Sequence, residues 1–382
     1  MSVDFGVIGG GLVGRIAALA LADTQAEVAV WDKANQVVVP SADQPLTLRA
    51  TNIAFLEKLG IWKHCQAHAN PINQLHISSS GRFGCLHICE QDPIAYVMAR
   101  RSLDSALNKA INASTAKLHL GHSVDSITVE PAGLSCEIQA KHNVQTHQPR
   151  RIIVADGAKS SMADQLGMNI VAVAGGFTSS VYKIQVSRWH ATKAYQRFYP
   201  HGAIGVVPAA TAGQCWAIIT QQQTGHDQEQ TLAEVETMLG IHLGTRLGDL
   251  VVEKKLGVYN TTLQYREAGD CDYALNFGNS SINLPPIAAQ GLNHAIQELQ
   301  CLNMQQSFSA WQHSNGSVWR NALLEKLSLQ RQRLVANAKL VLAMQCSHGG
   351  FSSIAKRLSW AWLGADLNAD SIVSRRGQGY YR

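Results

Sequence analysis

The stretch that decides the fold is VDFGVIGGGLVGRIAALALADTQAEVAVWD, residues 3–32. Residues 3–8 form a short apolar run, which is typical of a buried strand. Residues 12–22 are rich in Ala and Leu and indicate a helix, and residues 26–31 form a second apolar run. A strand, a glycine-rich turn, a helix and a second strand within about thirty residues predict a dinucleotide-binding βαβ unit.

Three glycines in the turn have separate physical roles. Gly9 permits a tight turn, Gly11 lets a pyrophosphate approach the backbone, and Gly14 lets the helix pack closely on the strand. The helix N-terminus offers unpaired N–H groups to the phosphates. Asp32, at the end of the second strand, is placed to bind a ribose 2′-hydroxyl, and its charge disfavours NADP. The alternative is an ordinary glycine-rich turn, but strand, helix and carboxylate together favour a dinucleotide.

Composition narrows the class of protein. The chain has 382 residues, of which 46% are hydrophobic, so it can bury more than one ordinary domain core. The net charge is +5, and the Lys and Arg residues form no dense run, which gives nucleic-acid binding little support. No run of about 18 apolar residues occurs, so no membrane span is expected. No basic segment precedes the first strand, so no signal peptide is expected either.

The eight cysteines are scattered and form no CxxC motif, which indicates reduced thiols and a cytoplasmic location. Cys85, His87 and Cys89 alternate as one face of a strand, and no second ligand cluster follows them. We therefore expect no metal site.

Two more motifs follow strand patterns. Ala155-Asp156-Gly157-Ala158 follows the apolar residues 152–154, and Gly278-Asn279 follows the apolar residues 273–277. The second motif leads into PPIAAQGLN, residues 285–293, where a helix is predicted to begin. Its backbone N–H groups could stabilise negative charge on a bound ring. Each motif alone is also consistent with an ordinary turn.

The order of the three motifs resembles the flavin-dependent aromatic hydroxylases, and more narrowly the ubiquinone-biosynthesis hydroxylases. The resemblance runs from residue 3 to about residue 300. It includes Leu48-Arg49-Ala50, residues 59–62, residues 80–84 and Gln196-Arg197-Phe198.

The resemblance implies FAD as the cofactor and assigns roles to matched positions. Gly9, Gly11, Gly14 and Asp32 would hold the ADP moiety, and Arg49 and Arg101 would lie along the cofactor. Asp156 and Gly157 belong to a motif associated with FAD and with its nicotinamide reductant, and Asn279 would lie beside the ribityl chain. The remaining implied positions border the isoalloxazine ring or flank these motifs: Pro286, Gln290, Gly291, Leu292, Leu12, Val13, Lys33, Gly278 and Asn293. No catalytic acid or base is assigned.

The implied architecture is α/β, with a Rossmann-like FAD-binding domain, an inserted β-sheet substrate domain and a helical C-terminus. The first part of the FAD-binding domain would span residues 1–171, with a β-hairpin excursion at residues 73–89. The substrate domain would span residues 172–256. The FAD-binding domain would return at residues 257–345, and residues 346–382 would form a tail.

Several positions depart from the family pattern near the flavin. The strand-end motif usually reads Gly-Asp-Ala-Ala-His, whereas this chain has Asn279 in place of the Asp and Ile282 in place of the His. Ala289 and Ala295 stand where the family usually has Gly, and Ala163 stands where it has Arg. These changes suggest weaker FAD affinity, altered use of reductant or loss of catalysis.

The leading hypothesis is an FAD-dependent monooxygenase that hydroxylates the aromatic ring of a polyprenylated ubiquinone precursor. Electrons would come from transient NAD(P)H or a separate reductase. The alternatives are a non-catalytic paralogue acting within a ubiquinone-biosynthesis complex and an FAD oxidoreductase for a soluble aromatic substrate. A homo-oligomer is also compatible with the sequence. The apolar residues of segment 354–363, with Lys356 and Arg357, suggest peripheral membrane contact or simply core packing.

Overall fold

The computed structural model describes residues 2–37, 43–80, 85–130, 133–140, 143–200, 202–223, 229–266, 273–287, 289–302, 323–325, 327–336 and 338. Its first nine strands are β1 (Ser2–Ile8), β2 (Val28–Asp32), β3 (Pro45–Arg49), β4 (Asn70–Ile72), β5 (Gln74–Ser79), β6 (Cys85–Cys89), β7 (Ala95–Ala99), β8 (Lys117–Leu120) and β9 (His122–Glu130). The others are β10 (Gly133–Ala140), β11 (Asn143–Val154), β12 (Ile170–Val186), β13 (Lys193–Tyr199), β14 (Gly202–Pro208), β15 (Gln214–Gln222), β16 (Leu250–Arg266), β17 (Ala274–Asn276) and β18 (Ile282–Asn283).

The α-helices of the described residues are α1 (Leu12–Ala22), α2 (Ile53–Lys58), α3 (Arg100–Asn112), α4 (Ser161–Gln165), α5 (Leu232–Leu243) and α6 (Gln290–Leu302). Residues 323–325 and 327–336 are helical as well. None of the described helices is long and apolar enough to span a bilayer. The apolar stripe predicted at residues 354–363 lies outside the described residues, as does the rest of the predicted tail.

The first sheet confirms the predicted βαβ unit. Its parallel strands follow the order β8-β2-β1-β11-β17. The strand order changes direction at β1, because β2 and β8 lie on one side of it and β11 and β17 on the other. Open α/β sheets bind dinucleotides at such a switch point. Helix α1 has the predicted bounds, and β2 begins two residues later than predicted. β11 continues beyond this region into an antiparallel extension with β10 and β9.

The second sheet confirms the predicted β-rich insertion. Its order is β18-β16-β12-β15-β14-β13-β5-β6. It extends further than residues 172–256, because β12 begins at Ile170 and β16 continues to Arg266. The predicted hairpin at 73–89 forms as β5 and β6 and joins this sheet through parallel pairing of β5 with β13.

Each face of the second sheet packs on a different core. The inner face carries Ala194, Phe198, Val207 and Trp216, among other buried residues. The outer face is covered in part by α5, whose Val235, Leu239 and Leu243 pack against Ile204, Ala217 and other residues of the sheet. In the first domain, α1, α3 and α6 pack on one face of the parallel sheet. A small antiparallel sheet, ordered β3-β7-β4, completes the fold.

Candidate functional site

The glycine-rich turn between β1 and α1 has the geometry that a phosphate site requires. Gly9 has φ of +101°, and a Cβ there would lie 2.5 Å from the carbonyl oxygen of Ala155. A Cβ on Gly14 would collide with the carbonyl oxygen of Gly9. Gly11 differs, because a Cβ there would meet no atom within 4 Å. The backbone at Gly11 therefore borders open space at the positive end of α1, where a pyrophosphate could lie.

Asp32 stabilises this turn as well as facing the cavity. Its Oδ2 accepts a hydrogen bond from the Gly10 amide at 2.6 Å, and its Oδ1 accepts one from the Ala34 amide at 2.8 Å. A carboxylate has about four acceptor positions, so both oxygens retain capacity for a ribose hydroxyl. The side chain thus fixes the turn and presents an acceptor to a ligand.

A cavity of about 730 Å³ extends from this turn to the inner face of the second sheet. The volume lies within the range of about 300–1,000 Å³ usual for small-molecule and cofactor sites. The cavity wall contains fourteen of the positions assigned above to the cofactor: Gly9, Gly11, Leu12, Val13, Asp32, Lys33, Asp156, Gly157, Gly278, Asn279, Pro286, Gln290, Gly291 and Leu292. Three motifs that are distant in sequence therefore border one space.

Four other assigned positions, Gly14, Arg49, Arg101 and Asn293, are not in the cavity wall. Arg49 is buried, and its burial lowers the pKa of its guanidinium to about 10. Arg101 lies at the surface and pairs with Asp43 at 2.8 Å. Gly14 acts through helix packing, as described for the turn.

Asn293 uses its amide to brace the cavity. It is 1% exposed, and its Nδ2 donates to the carbonyl oxygens of Thr47 and Ala289, each at 2.8 Å. Its Oδ1 accepts from the Arg49 amide at 2.8 Å and from Asn52 Nδ2 at 2.9 Å. Asn293 therefore ties α6 to β3 rather than facing a ligand.

Arg100, which the sequence analysis missed, is the arginine of α3 that lies in the cavity wall. Its Nε lies 3.4 Å from Asp104, one helical turn along α3. Asp104 also pairs with Arg15 of α1, and both of these side chains are 1% exposed. Arg15 donates further to Asn108 at 2.7 Å. The spacing of Arg100 and Asp104 by four residues at the start of a helix is the signal that could have identified this pair.

The Asp156-Gly157 turn presents a carboxylate to the cavity. Desolvation by the surrounding walls raises the pKa of Asp156, and a hydrogen bond with Ser160 opposes that rise. Gly157 has φ of +97° and borders open space. Arg266, also missed from sequence, is 3% exposed and donates to the carbonyl oxygen of Ser160 at 3.0 Å. The end of β16 thereby fixes this turn.

The segment after β17 forms the wall opposite the glycine-rich turn. Gly278 has φ of +67°, and a Cβ there would lie 2.9 Å from Val13. Asn279 is exposed to the cavity, whereas Ile282 is 2% exposed and packs in a core cluster. Ala289 has φ of +49°, a left-handed conformation that favours glycine. The departure from the family pattern at Ala289 therefore carries backbone strain.

Gln290 begins α6 at the same wall. It is 5% exposed, and its Oε1 has no hydrogen-bond partner among the described residues. The N–H groups of the first turn of α6 point toward the helix N-terminus. Gly291 and Leu292 of this turn also line the cavity. The wall therefore offers positive potential to a ligand.

A buried ionic network holds α6 in place. Arg331 donates to Glu298 at 2.6 Å and to the Asn276 carbonyl oxygen at 2.7 Å. His294 Nε2 lies 3.3 Å from the same Glu298 carboxylate. Burial alone would raise the pKa of Glu298, but Arg331 and His294 outweigh it and hold this pKa at about 2. The network gives His294 a structural role, as a partner of Glu298.

The second sheet supplies the other end of the cavity, with both apolar and polar side chains. Val181, Val207, Ile218 and Leu284 line it. Its polar side chains are Tyr195, Gln196, Tyr259, Thr261 and Asn283, and the hydroxyls of Tyr259 and Thr261 lack a hydrogen-bond partner among the described residues. The arrangement suits a ligand that has an apolar part and one or two oxygen substituents.

Within the described residues, no group of three His, Cys, Asp or Glu side chains could hold a metal ion. Cys65, Cys136 and Cys215 are buried and form no disulfide. The open backbone at Gly11 and Gly157, the Asp32 acceptor and the α6 N-terminus fit a long, anionic dinucleotide that carries a ring. The described donors and spaces are therefore compatible with FAD.

Comparison with known proteins agrees with this geometry. A family model described as FAD binding domain matches residues 2–306. Ubiquinone hydroxylase UbiL of Rhodospirillum rubrum is 24% identical over 314 residues, which cover 78% of this chain and 71% of that protein. The 3-demethoxyubiquinol 3-hydroxylase of Escherichia coli is 23% identical over 92% of this chain and 90% of its own length.

The crystal structure of p-nitrophenol 4-monooxygenase from Pseudomonas putida superposes with a TM-score of 0.69. The two chains are 14% identical, and the match covers 98% of this chain and 97% of the other. A likeness of this kind shows a shared fold.

Proposed function

Because this chain belongs to the FAD binding domain family and takes FAD as its cofactor, we propose that it is a monooxygenase that hydroxylates the aromatic ring of a prenylated ubiquinone precursor. The observation that carries the proposal is the continuity of the cavity, whose wall includes both the cofactor motifs and the inner face of the second sheet. The relatives named as hydroxylases of ubiquinone-type rings support the substrate class.

Bound FAD would supply the electron transfer and the activation of O2. The chain's own part is binding, orientation and exclusion of water. Gly11 and the N-terminus of α1 would hold the pyrophosphate, and Asp32 would accept from the ribose. The first N–H groups of α6, which begins at Gln290, would stabilise negative charge at the edge of the ring system.

At the other end of the cavity, Val181, Val207 and Ile218 would keep the reacting centre dry, which strengthens polar interactions there. The hydroxyls of Tyr259 and Thr261 would orient the oxygen substituents of an aromatic ring. Buried polar groups without partners are unfavourable, so a ligand that completes their hydrogen bonds is preferred over one that does not. This preference would select a phenol or quinol over a plain hydrocarbon.

The electron donor is proposed to be transient NAD(P)H or a separate reductase, because the sequence has one dinucleotide-binding motif and the cofactor occupies it. We also propose peripheral contact with a bilayer and membership of a biosynthetic complex. Flotation of the full chain with phospholipid vesicles and co-purification from a cell extract would test them. A chain that neither floats nor co-purifies would contradict both.

The visible absorption spectrum of the purified protein, before and after addition of FAD, tests the cofactor role. Flavin bands at about 370 and 450 nm are expected. Turnover is then tested with reductant, labelled O2 and a short-chain prenylated phenol. We expect a product that carries one labelled oxygen atom. A soluble phenol without the prenyl group should react more slowly; equal rates would favour a soluble aromatic substrate.

The second candidate is a non-catalytic flavoprotein that retains the fold. The strained Ala289 backbone and the neutral Asn279 in the cavity wall favour it. In that case FAD would bind, but reductant and O2 would give no hydroxylated product with any phenol tested. Restoration of turnover by Asn279→Asp together with Ala289→Gly would show that these departures caused the loss.

A further inference from the structure

A group of basic side chains lies on the outer face of the second sheet, beside α5. We call it the outer cationic cluster, and its members are His76, His87, Lys193, Arg197, His242 and Arg246. Their neighbours Leu75, Ala194 and Phe198 pack in the inner cluster. Because side chains alternate along a strand, the cluster lies on the face opposite these residues, and none of its members lines the FAD cavity.

Strand register brings the members together. Tyr195 is paired with His76 across β13 and β5, and His76 is paired with His87 across β5 and β6. The ring centroids of His76 lie 5.8 Å from Tyr195 and 6.4 Å from His87. Lys193 and Arg197 flank Tyr195 at two-residue spacing and share its face. The last turn of α5 adds His242, which stacks on Tyr199 at 4.4 Å.

The charge of this cluster is not balanced by carboxylates. Lys183 and Lys255, elsewhere on the same sheet, pair with Glu253 and Glu229. Among the described residues, Lys193, Arg197 and Arg246 have no such ion pair. Burial, followed by the charges of Arg246, Lys193, His87 and Arg197, lowers the pKa of His76 to about 4. The permanently charged groups that act on His76, namely Arg246, Lys193 and Arg197, are therefore all cations.

The cluster also contains buried nitrogen atoms without partners. His76 Nε2, Arg197 Nε and His242 Nδ1 make no hydrogen bond to any described residue. Neutral imidazoles can donate one hydrogen bond each, and a guanidinium can donate five. Buried polar atoms are normally satisfied, so these point to a ligand that supplies oxygen acceptors.

We propose that the outer cationic cluster is a binding site for a phosphate-class oxyanion, separate from the FAD cavity. Arg197, Arg246 and Lys193 supply the charge, and His76 and His242 supply directed donors. Guanidinium and ammonium groups around neutral imidazoles suit a compact polyanion with several acceptor oxygens. The phosphate can come from a free phosphate or phosphate ester or from the headgroup of an anionic lipid.

The test is a titration of the full-length, FAD-loaded protein with inorganic phosphate, at constant ionic strength in chloride, with the His76 ring signal followed by NMR. Phosphate should shift this signal saturably and raise the pKa of His76, because a bound anion favours the imidazolium. Arg197→Gln should weaken phosphate binding by about tenfold or more. Lys193→Gln provides a second variant if Arg197→Gln folds poorly.

The matched control is Lys255→Gln, which removes one charge from the same sheet outside the cluster and should leave phosphate affinity unchanged. Vesicles that contain phosphatidic acid, compared with phosphatidylcholine vesicles, distinguish the lipid source from free phosphate. Retention of FAD by Arg197→Gln keeps this result separate from the proposed function. The proposal is overturned if neither phosphate nor phosphatidic acid binds, or if the cluster variants bind as well as the control.

Discussion

Ala289 combines a strained backbone with a position in the cavity wall. A non-glycine residue in the left-handed region costs about 1–2 kcal/mol. We expect Ala289→Gly to relieve this strain, partly offset by the greater entropy of the unfolded chain. The loop would then adopt the conformation that lines the cavity more readily, and the affinity for FAD should rise several-fold. Fluorescence titration with FAD measures the change.

Gln25 gives the matched control, since it has φ of +67° in the turn after α1 and does not line the cavity. Gln25→Gly should change thermal stability by a similar small amount and leave FAD affinity unchanged. If both variants tighten FAD binding equally, the effect belongs to global stability and not to the loop.

Asp32 supports a prediction about the affinity for FAD. Asp32→Asn keeps the shape of the side chain but replaces one acceptor oxygen by a donor group, which opposes the amide of Gly10 or Ala34. Charge-assisted hydrogen bonds contribute about 1.5–3 kcal/mol. FAD affinity should therefore fall by about tenfold to a hundredfold, measured by equilibrium dialysis. Asp4→Asn, at a half-buried carboxylate outside the cavity wall that accepts from the Glu27 amide at 3.0 Å, should leave it unchanged.

Single residues were predictable from sequence where a local rule fixed their role. Gly9, Gly11 and Gly14 follow from the turn itself. Arg100 and Arg101 are adjacent, and only the phase of α3 decides which of them faces the cavity. Arg266 could not be found at all, because its partner Ser160 is distant in sequence and meets it only after the second sheet has docked.

Helix α6 depends on a buried ion network. Glu298→Gln removes the negative partner of Arg331 and leaves a buried cation, so stability should fall by about 3–5 kcal/mol. Glu253→Gln removes a carboxylate from a partly exposed pair and should cost at most about 1 kcal/mol. Urea unfolding of both variants provides the comparison, and equal losses would contradict a buried role for Glu298.

The same carboxylate predicts a pH dependence. Its folded pKa of about 2 lies below its ordinary value of 4.5. A depressed folded pKa contributes stability that is complete above the ordinary value and is lost as pH falls through the folded one. Unfolding free energy should therefore decline between pH 4.5 and pH 2. Glu298→Gln should show a shallower decline over this interval in urea melts at each pH.

Helices and strands were predictable from the sequence where the residues of one short segment determine them. The bounds of α1 follow from an eleven-residue run rich in Ala and Leu, whose residues 14–21 are buried on every side of the helix. The β5–β6 hairpin was also predictable as a hairpin, but its place in the second sheet was not. That place depends on pairing with β13, which no periodicity near residues 74–89 encodes.

One cavity lies between the two large sheets, so a ligand bound in it should stabilise both sheets against unfolding. Cys65 lies in the core of the first domain and Cys215 in the core of the outer face of the second sheet. Burial raises the pKa of these thiols to about 11 and about 12, which makes them unreactive until unfolding. We expect both to become reactive at one denaturant concentration, and saturating FAD should raise that concentration for both.

Alkylation followed by peptide mass mapping at increasing urea gives the two midpoints separately. Exposed Cys85 should react throughout and serves as the internal control. Separate midpoints for Cys65 and Cys215, with FAD moving only the first, would show that the two sheets unfold independently.

The parallel pairing of β5 with β13 has a consequence for how the chain matures during synthesis. Residues 74–79 leave the ribosome long before residues 193–199, so the hydrogen-bonding edge of β5 waits without its partner while the intervening chain is made. Open strand edges recruit other chains, and long-range pairing is slow to form. The nascent chain is therefore most prone to aggregation during this interval, when a holdase chaperone could bind the exposed edge of β5.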